Sequence, residues 1–177
     1  QRQMCIRDRW IATSNYGLIH IEGDIRNPST LKYYNYSFYN KRMLTNNVLC
    51  LHIDKSGRLW VGTEGGGIYL YNRQNDRFEE KNQEYNIPGD MVGSIEEDKN
   101  GNLWMTSSEV NHAVLVLDKA GAWHRLDIEQ LRGVYTINDI LITSTNDKWI
   151  YVPRNTPKLV MIPNSESLDE VSSYEFT

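Results

Sequence analysis

Cysteine, histidine and long apolar runs are what this sequence has least of, and each shortage excludes something. Only two Cys occur in 177 residues, at positions 5 and 50, too few for a disulfide framework or a thiolate metal cluster. Cys50, inside the apolar run Val48-Leu49-Cys50-Leu51-His52-Ile53, reads as a small buried hydrophobe and does not report the redox compartment. The four His, at 20, 52, 112 and 124, show no HxH or HxxxH spacing and no companion Cys, so the usual metal motifs are missing. No apolar run approaches the roughly 20 residues that a helix needs to cross a bilayer. A formal net charge of −4 supplies no basic face, which argues against nucleic-acid or membrane contact by this segment. No GxSxG nucleophile motif occurs, and Gly65-Gly66-Gly67 links two strand-like runs without leading into a helix, so it forms no phosphate cradle. The carboxylates of Glu79-Glu80 and of Glu96-Glu97 are adjacent; on a strand they point to opposite faces and cannot act as a pair. No cofactor, no metal and no catalytic residue is expected, and the segment is read as non-enzymatic.

What the chain does have is tyrosine, tryptophan and glycine, 11, five and 12 of them, set in a pattern. The stretch Asp54 to Asn72, DKSGRLWVGTEGGGIYLYN, organises the rest. Asp-Lys-Ser-Gly is a turn: Asp can bond its own backbone and Gly57 accepts positive φ. Leu59-Trp60-Val61-Gly62-Thr63 and Ile68-Tyr69-Leu70-Tyr71 are short runs of strand-forming residues. Asp98-Lys99-Asn100-Gly101-Asn102-Leu103-Trp104 repeats the pattern, with the same step from Asp to Trp.

Aligning on Trp gives positions 10, 60, 104 and 149, which are 50, 44 and 45 residues apart. Short strands at such a period are the signature of a radial β repeat. The repeats fall near residues 10–45, 46–89, 90–133 and 134–177, and the first nine residues, QRQMCIRDR, are expected to be a non-native leader resembling translated adapter sequence. The first repeat supplies Trp10 to Thr13, Leu18 to Ile21 and an outer strand over Tyr33 to Tyr39. The second supplies Asn47 to Ile53, the two strands above, and Arg77-Phe78-Glu79. The third runs Met91 to Glu96, Leu103 to Thr106, Ala113 to Leu117 and Ala122 to Arg125. The fourth is divergent, without the turn Gly and with Pro153 and Pro157. It offers Val134 to Ile142, Asp147 to Val152, Lys158 to Ile162 and Ser173 to Phe176.

Val114-Leu115-Val116-Leu117 and Leu49-Cys50-Leu51 are apolar at every position rather than alternating, which suits a sheet covered on both faces. Blades packed side by side in a ring provide that cover, whereas a sandwich favours alternation. The fold class is therefore all-β: a β-propeller segment of about four repeats of four-stranded antiparallel blades. The first repeat lacks its first strand and the last ends raggedly, so an open arc of a larger propeller is expected.

At Asn46-Asn47-Val48 through Asn72, and less fully at Met91 to Thr106, the chain resembles the two-component regulator propeller repeat. That pattern has an apolar strand, an acidic residue, a Gly turn, Leu-Trp, a Gly-Thr pair, a Gly-rich link and a Tyr-containing strand. Met105-Thr106 stands where Gly-Thr belongs, Trp10 to Ile21 keeps the middle, and the fourth repeat keeps Trp149 and the strand pattern. The resemblance implies the periplasmic sensor region of a hybrid two-component system for glycan use, part of an inner-membrane protein. It implies further blades, a membrane helix, a histidine kinase and a DNA-binding output elsewhere in a homodimeric parent.

The Trp residues could be sugar-stacking platforms, but four at one structural position argue for packing between blades. Asp54 and Asp98 sit one residue farther from their Gly than in the Asp-box turns of sialidase-like propellers, and either way they are turn residues. In an antiparallel meander the one–two and three–four turns lie on one face; the two–three loops and the links between blades lie on the other. The first kind repeats here, while the two–three loops diverge from EGGG to SSEVNH to RNTP. Recognition is expected where loops diverge. The candidate ligand residues on that face are Asn46, Asn47, Glu109, Asn111, His112, Tyr135 and Arg154. Amide, carboxylate and guanidinium groups beside aromatic rings suit an oligosaccharide, whose hydroxyls need both donors and acceptors. The rival readings are a propeller lyase or glycosidase, for which Glu109 with His112 is the nearest acid–base pair, and a protein-interaction scaffold.

Overall fold

The structure, a computed structural model, describes residues 9–24, 26–35, 43, 45–81, 90–109, 111–134, 137, 139–153, 157–165, 167–168 and 171–176. Among them the chain forms four antiparallel sheets in sequence order, each a meander. Blade one has three strands, β1 (Arg9–Ala12), β2 (Leu18–Ile21) and β3 (Leu31–Tyr34). Blade two is β4 (Val48–Ile53), β5 (Leu59–Thr63), β6 (Ile68–Asn72) and β7 (Arg77–Glu80). Blade three is β8 (Ile95–Glu97), β9 (Leu103–Thr106), β10 (Val114–Leu117) and β11 (Trp123–Leu126). Blade four is β12 (Asp139–Ile142), β13 (Lys148–Val152), β14 (Lys158–Ile162) and β15 (Tyr174–Phe176). The four aligned Trp sit on equivalent strands: Trp10, Trp60, Trp104 and Trp149 lie on β1, β5, β9 and β13, opposite His20, Leu70, Val116 and Met161 of the following strand.

The one–two turn is one piece of chemistry used repeatedly. Asp54 N–H donates to Arg58 O and Gly57 N–H to Asp54 O, while the Asp54 carboxylate accepts from Arg58 N–H at 2.9 Å and from the Trp60 indole at 2.9 Å. Asp98 does the same with Asn100, Asn102 and Trp104. Gly57 and Gly101 have φ of +78° and +86°, which a side chain would resist. The fourth repeat, which lacks the turn Gly, keeps the turn with other residues. Thr143 takes the Asp place, its hydroxyl accepting from Asp147 N–H at 3.1 Å, and Asn146 at φ +71° takes the Gly place.

Each Trp marks the face of its blade that meets the next one, the leading face. Trp10 packs between Tyr34, Tyr71 and Phe78 at the junction of blades one and two. Trp60 and Ile68 meet Ile95, Leu103, Met105 and Leu115 of blade three. Trp104, Val114 and Val116 meet Ile140, Ile150 and Val160 of blade four. Trp60 and Trp104 are each 2% exposed. Trp149 lies on a face of blade four that none of the other three described sheets covers; it is half-buried and tilted against Phe176.

Lysines tie the turns of neighbouring blades together. Lys55 Nζ donates to Asp98 O at 2.5 Å, Lys99 Nζ donates to Ser144 O, and Lys99 N–H donates to the Asn146 side chain at 2.8 Å. Lys148, fully buried on the trailing face of blade four, puts its ammonium 3.6 Å from Asp98 Oδ2 and 4.6 Å from the centre of the Trp104 ring. Burial pulls its pKa below the ordinary lysine value, against the opposing pull of Asp98. Gly62 is small for a different reason: a Cβ there would lie 2.4 Å from Cys50 Sγ and 2.5 Å from Val92 O of blade three.

Some sequence expectations need correction. Blade one shows three strands among the described residues, in line with a first repeat that lacks its first strand. Its outer strand runs Leu31–Tyr34 rather than Tyr33 to Tyr39, and residues 36–39 lie outside the described residues. Strand β1 already includes Arg9, which the sequence reading put in the leader; residues 1–8 lie outside the described residues. In blade three Met91 makes an isolated bridge with Glu64, and the strand proper starts at Ile95. The run Val114–Leu117 is buried throughout as expected, but Leu49 is 37% exposed, because β4 is the innermost strand and its bulge between Val48 and Cys50 turns that residue outward.

Replacing Trp60 or Trp104 by Ala should cost about 3–5 kcal/mol, as for emptying any buried aromatic site, while Trp149→Ala should cost about 1 kcal/mol or less. Chemical denaturation of the three variants checks the contrast; equal losses would mean that the rings do not mark blade junctions. For the Asp98 carboxyl, burial alone would raise the pKa. The Asn102 backbone N–H, the Trp104 indole, the Asn102 amide and Lys148 outweigh it and hold the group below its ordinary value, and Asp54 is lowered in the same way. These carboxylates then contribute full stability above their unfolded pKa near about 4 and lose it as pH falls through the folded values. The denaturant midpoint should drop as pH falls below about 4, and Asp98→Asn should flatten that dependence while lowering stability at pH 7.

Candidate functional site

The strand order sorts the connections onto two faces of the arc. One carries the Asp turns and the turns into the outer strands (β6 to β7, β10 to β11, β14 to β15), the other the two–three loops and the links between blades. On the turn face the Asp side chains are committed to the scaffold. Asp118-Lys119-Ala120-Gly121 is a further copy of the Asp turn, placed between β10 and β11. Asp118 accepts from Ala120 and Ala122 N–H groups at 2.9 and 2.8 Å. His124, six residues on, stands where Trp60 and Trp104 stand in the other turns, with Nε2 2.9 Å from Asp118 Oδ2. His124 and the two N–H groups hold the Asp118 carboxyl below its ordinary pKa. A cavity of about 580 Å³ opens here, lined by Asn100, Asn102, Asp118, Lys119, His124 and Leu168 among others. Two of its polar groups are already satisfied internally: Asp118 by the turn, and Asn102 by Asp98 and the Lys119 N–H.

On the loop face the two–three loops begin alike and then diverge. Thr13 and Thr63 each close their loop with a backbone and a hydroxyl bond to the carbonyl four residues on, Gly17 and Gly67. In blade three Ser107 N–H reaches Ala113 O instead, across a longer loop. That loop holds three of the candidate residues. Ser107 Oγ accepts from Glu109 N–H at 3.1 Å, Glu109 O accepts from His112 N–H at 3.3 Å, and Asn111 sits at φ +68°. The Asn111 side-chain oxygen accepts from Gly133 N–H at 3.3 Å, tying the loop to the link into blade four. Glu109 Oε1 lies 3.5 Å from His112 Nδ1, with the two side chains 22% and 35% exposed.

Asn46 and Asn47 sit where the chain enters blade two. Asn46 O accepts from Gly17 N–H at 2.9 Å and Asn47 O from Glu64 N–H at 3.0 Å, while the Asn47 amide donates to the Glu64 carboxylate. The candidates thus fall into two groups, one at the junction of blades one and two and one in the blade-three loop. Tyr135 and Arg154 lie outside the described residues. Three buried polar atoms of these groups make no hydrogen bond among the described residues: Glu109 Oε2, His112 Nδ1 and Asn47 Oδ1. Buried polar atoms are normally satisfied, and His52 Nε2, on the strand that enters the Asp54 turn, is likewise without a hydrogen bond. Glu64, Ser107 and Gly133 support these residues and were not singled out from the sequence. Glu64 could have been, since it opens the divergent EGGG loop; the roles of Ser107 and Gly133 depend on contacts that spacing does not reveal.

The family model described as "Two component regulator propeller" matches residues 43–65 and 86–109, the heart of repeats two and three. A comparison with curated proteins gave no match. Among solved structures the chain is similar to the extracellular domain of a hybrid two-component system from B. thetaiotaomicron, with 22% identity and a TM-score of 0.60 over 81% of this chain and 17% of that one. It is also similar to virginiamycin B lyase from Staphylococcus aureus, with 20% identity and a TM-score of 0.65 over 94% of this chain and 50% of that one. A third likeness is to an auxiliary nutrient binding protein from Bacteroides ovatus, with 12% identity and a TM-score of 0.63 over 98% of this chain and 40% of that one. The chain therefore spans half or less of each of these proteins, and at these identities the likeness establishes the propeller fold. Among the described residues no helix is long and apolar enough to cross a membrane.

Proposed function

We propose, from the premise that this chain carries two-component regulator propeller repeats, that it is a ligand-sensing segment of a periplasmic hybrid regulator, and that its ligand is an oligosaccharide held on the loop face. The observation that carries this reading is the set of buried polar atoms without hydrogen bonds, Glu109 Oε2, His112 Nδ1 and Asn47 Oδ1, on the face whose loops differ from blade to blade. A carboxylate oxygen and an amide oxygen accept from sugar hydroxyls, and an imidazole nitrogen donates or accepts with its tautomer. The alternation of donors and acceptors along a saccharide meets that mixture. Loops held at their base by Thr hydroxyls and Asn111 arrive at binding with little conformational freedom to lose. The turn face is the less suited side, because its carboxylates and amides are consumed within the turns. In this reading the membrane anchor, the kinase and the remaining blades belong to the parent protein, which acts as a homodimer in the inner membrane.

A second reading rests on the Glu109 and His112 side chains, 3.5 Å apart and partly exposed. In a propeller lyase such a pair would serve as general base and acid. The two readings separate on turnover.

The test is calorimetric titration of neutral and acidic glycan fragments into the complete periplasmic region of the parent. Glu109→Gln and His112→Ala should each weaken binding by about tenfold or more, the usual cost of leaving a ligand's hydrogen-bonding groups unpaired. Lys119→Ala on the turn face should leave it unchanged. Affinity lost on Lys119→Ala and kept in both loop variants would sink the choice of face. Covalent breakdown of the glycan, abolished by His112→Ala, would replace the sensor by the lyase.

A further inference from the structure

The blade-three group on the loop face carries more negative than positive charge. It is built from the loop at residues 107–113 and the link at 127–134, which hold Glu109, Asp127 and Glu129 against one cation, Arg132. The link is firmly seated. Ile128 and Leu131 are buried in the core shared by blades three and four, and the short 3-10 helix Glu129–Leu131 ends with Arg132 N–H donating to Glu129 O at 3.2 Å. Gly133 N–H donates to the Asn111 side chain, so loop and link form one surface.

The single cation is already engaged. Arg132 donates to Asp127 twice, from Nε to Oδ1 at 2.8 Å and from Nη2 to Oδ2 at 2.6 Å. Arg132 holds the Asp127 carboxyl below its ordinary pKa and His112 adds to the effect, so the imidazole lies near that carboxylate. A bidentate pair occupies the fork with which Arg132 would otherwise take a ligand carboxylate. Glu109 has no Lys or Arg partner among the described residues. Its Oε1 lies 3.5 Å from His112 Nδ1, and its Oε2 makes no hydrogen bond. An acidic sugar would bring a further carboxylate to this surface and meet like charge without a free guanidinium to receive it. Sugar hydroxyls and ammonium groups instead donate to Glu109 and Asp127.

We propose that this site selects saccharides without acidic groups, neutral or amino sugars, and rejects uronates. Glu109 enforces the choice, and Asp127 keeps Arg132 from reversing it. The inference rests on the loop face being the glycan site, and adds to it the charge class of the ligand and two specificity residues, Asp127 and Arg132.

The experiment is calorimetry on the complete periplasmic region of the parent, with oligosaccharides paired so that they differ only at C6. Oligomers of glucose and glucuronate, of galactose and galacturonate, and of mannose and mannuronate serve, with glucosamine oligomers as the cationic arm. In every pair that binds, the uronate should be weaker than its neutral counterpart by about tenfold or more. Asp127→Asn should release Arg132 and raise uronate affinity by about tenfold, while neutral binding changes by less than about threefold. Glu109→Gln should narrow the gap by weakening the neutral sugar and sparing the uronate; Asp127→Asn, at an exposed position, carries the test alone if that variant does not fold. A uronate that binds the unmodified protein as tightly as its neutral counterpart would overturn the proposal. So would an Asp127→Asn variant that gains nothing for uronates. In either case, binding that is weakened by His112→Ala would leave the sensor reading standing. Binding of no oligosaccharide of any class would overturn both.

Discussion

The two central repeats hang on one carboxylate each, bonded at once to its own turn and to the indole six residues later. In the Asp54 and Asp98 turns the group accepts backbone N–H donors that the tight turn leaves without strand partners, and it fixes the rotation of the Trp ring. A buried Trp N–H needs an acceptor, and a buried carboxylate needs donors; each satisfies the other. Because the ring is aimed by the turn, the next blade meets a preformed surface. The same bond therefore sets both the shape within a blade and the angle between blades.

The lysines extend this from packing to register. Lys55 and Lys99 each reach one blade forward to a turn carbonyl, and Lys148 reaches one blade back to the Asp98 carboxylate. Apolar faces of Leu, Ile and Val would tolerate sliding by a residue; a cation over one ring and beside one carboxylate does not. Burying Lys148 costs solvation, so its value is better understood as specificity than as net stability. Blade four needs that device most, because its own turn has lost the Asp and holds its shape with Thr143 and Asn146.

The fold was legible because its determinants are local and repeated. The six-residue step from Asp to Trp, the Gly at the third place after Asp and the in-phase strands each leave a mark on spacing alone. Substitution by chemical equivalents hid the rest. Asn146 reaches positive φ without being Gly, so the missing Gly marked the fourth repeat as divergent although its turn is kept. Asp118 with His124 repeats the turn at a different place in the blade and with a different ring, outside the Trp alignment. Lys148 was not legible as a core residue because lysine is seldom buried, and only the neighbouring Asp98 and Trp104 make it so. For the loop face, divergence marked the region. Which atoms are left without partners depends on how Ser107, Asn111 and Gly133 fold the loop, and that is a property of three-dimensional contacts.

The two faces of the arc then follow from one accounting of polar groups. On the turn side much of the polar chemistry serves the repeat itself: Asp118 spends its oxygens on two backbone N–H groups and His124, and Asn102 spends its amide on Asp98 and Lys119. On the loop side the scaffold needs only the base of each loop, which Thr13 and Thr63 close with backbone and hydroxyl bonds. Residues beyond that base are released from structural duty. They are free to differ between blades, and to bury polar atoms such as Glu109 Oε2 that nothing within the described fold satisfies. A repeat that commits one set of connections to its own turns leaves the other set free to vary in length and sequence from blade to blade.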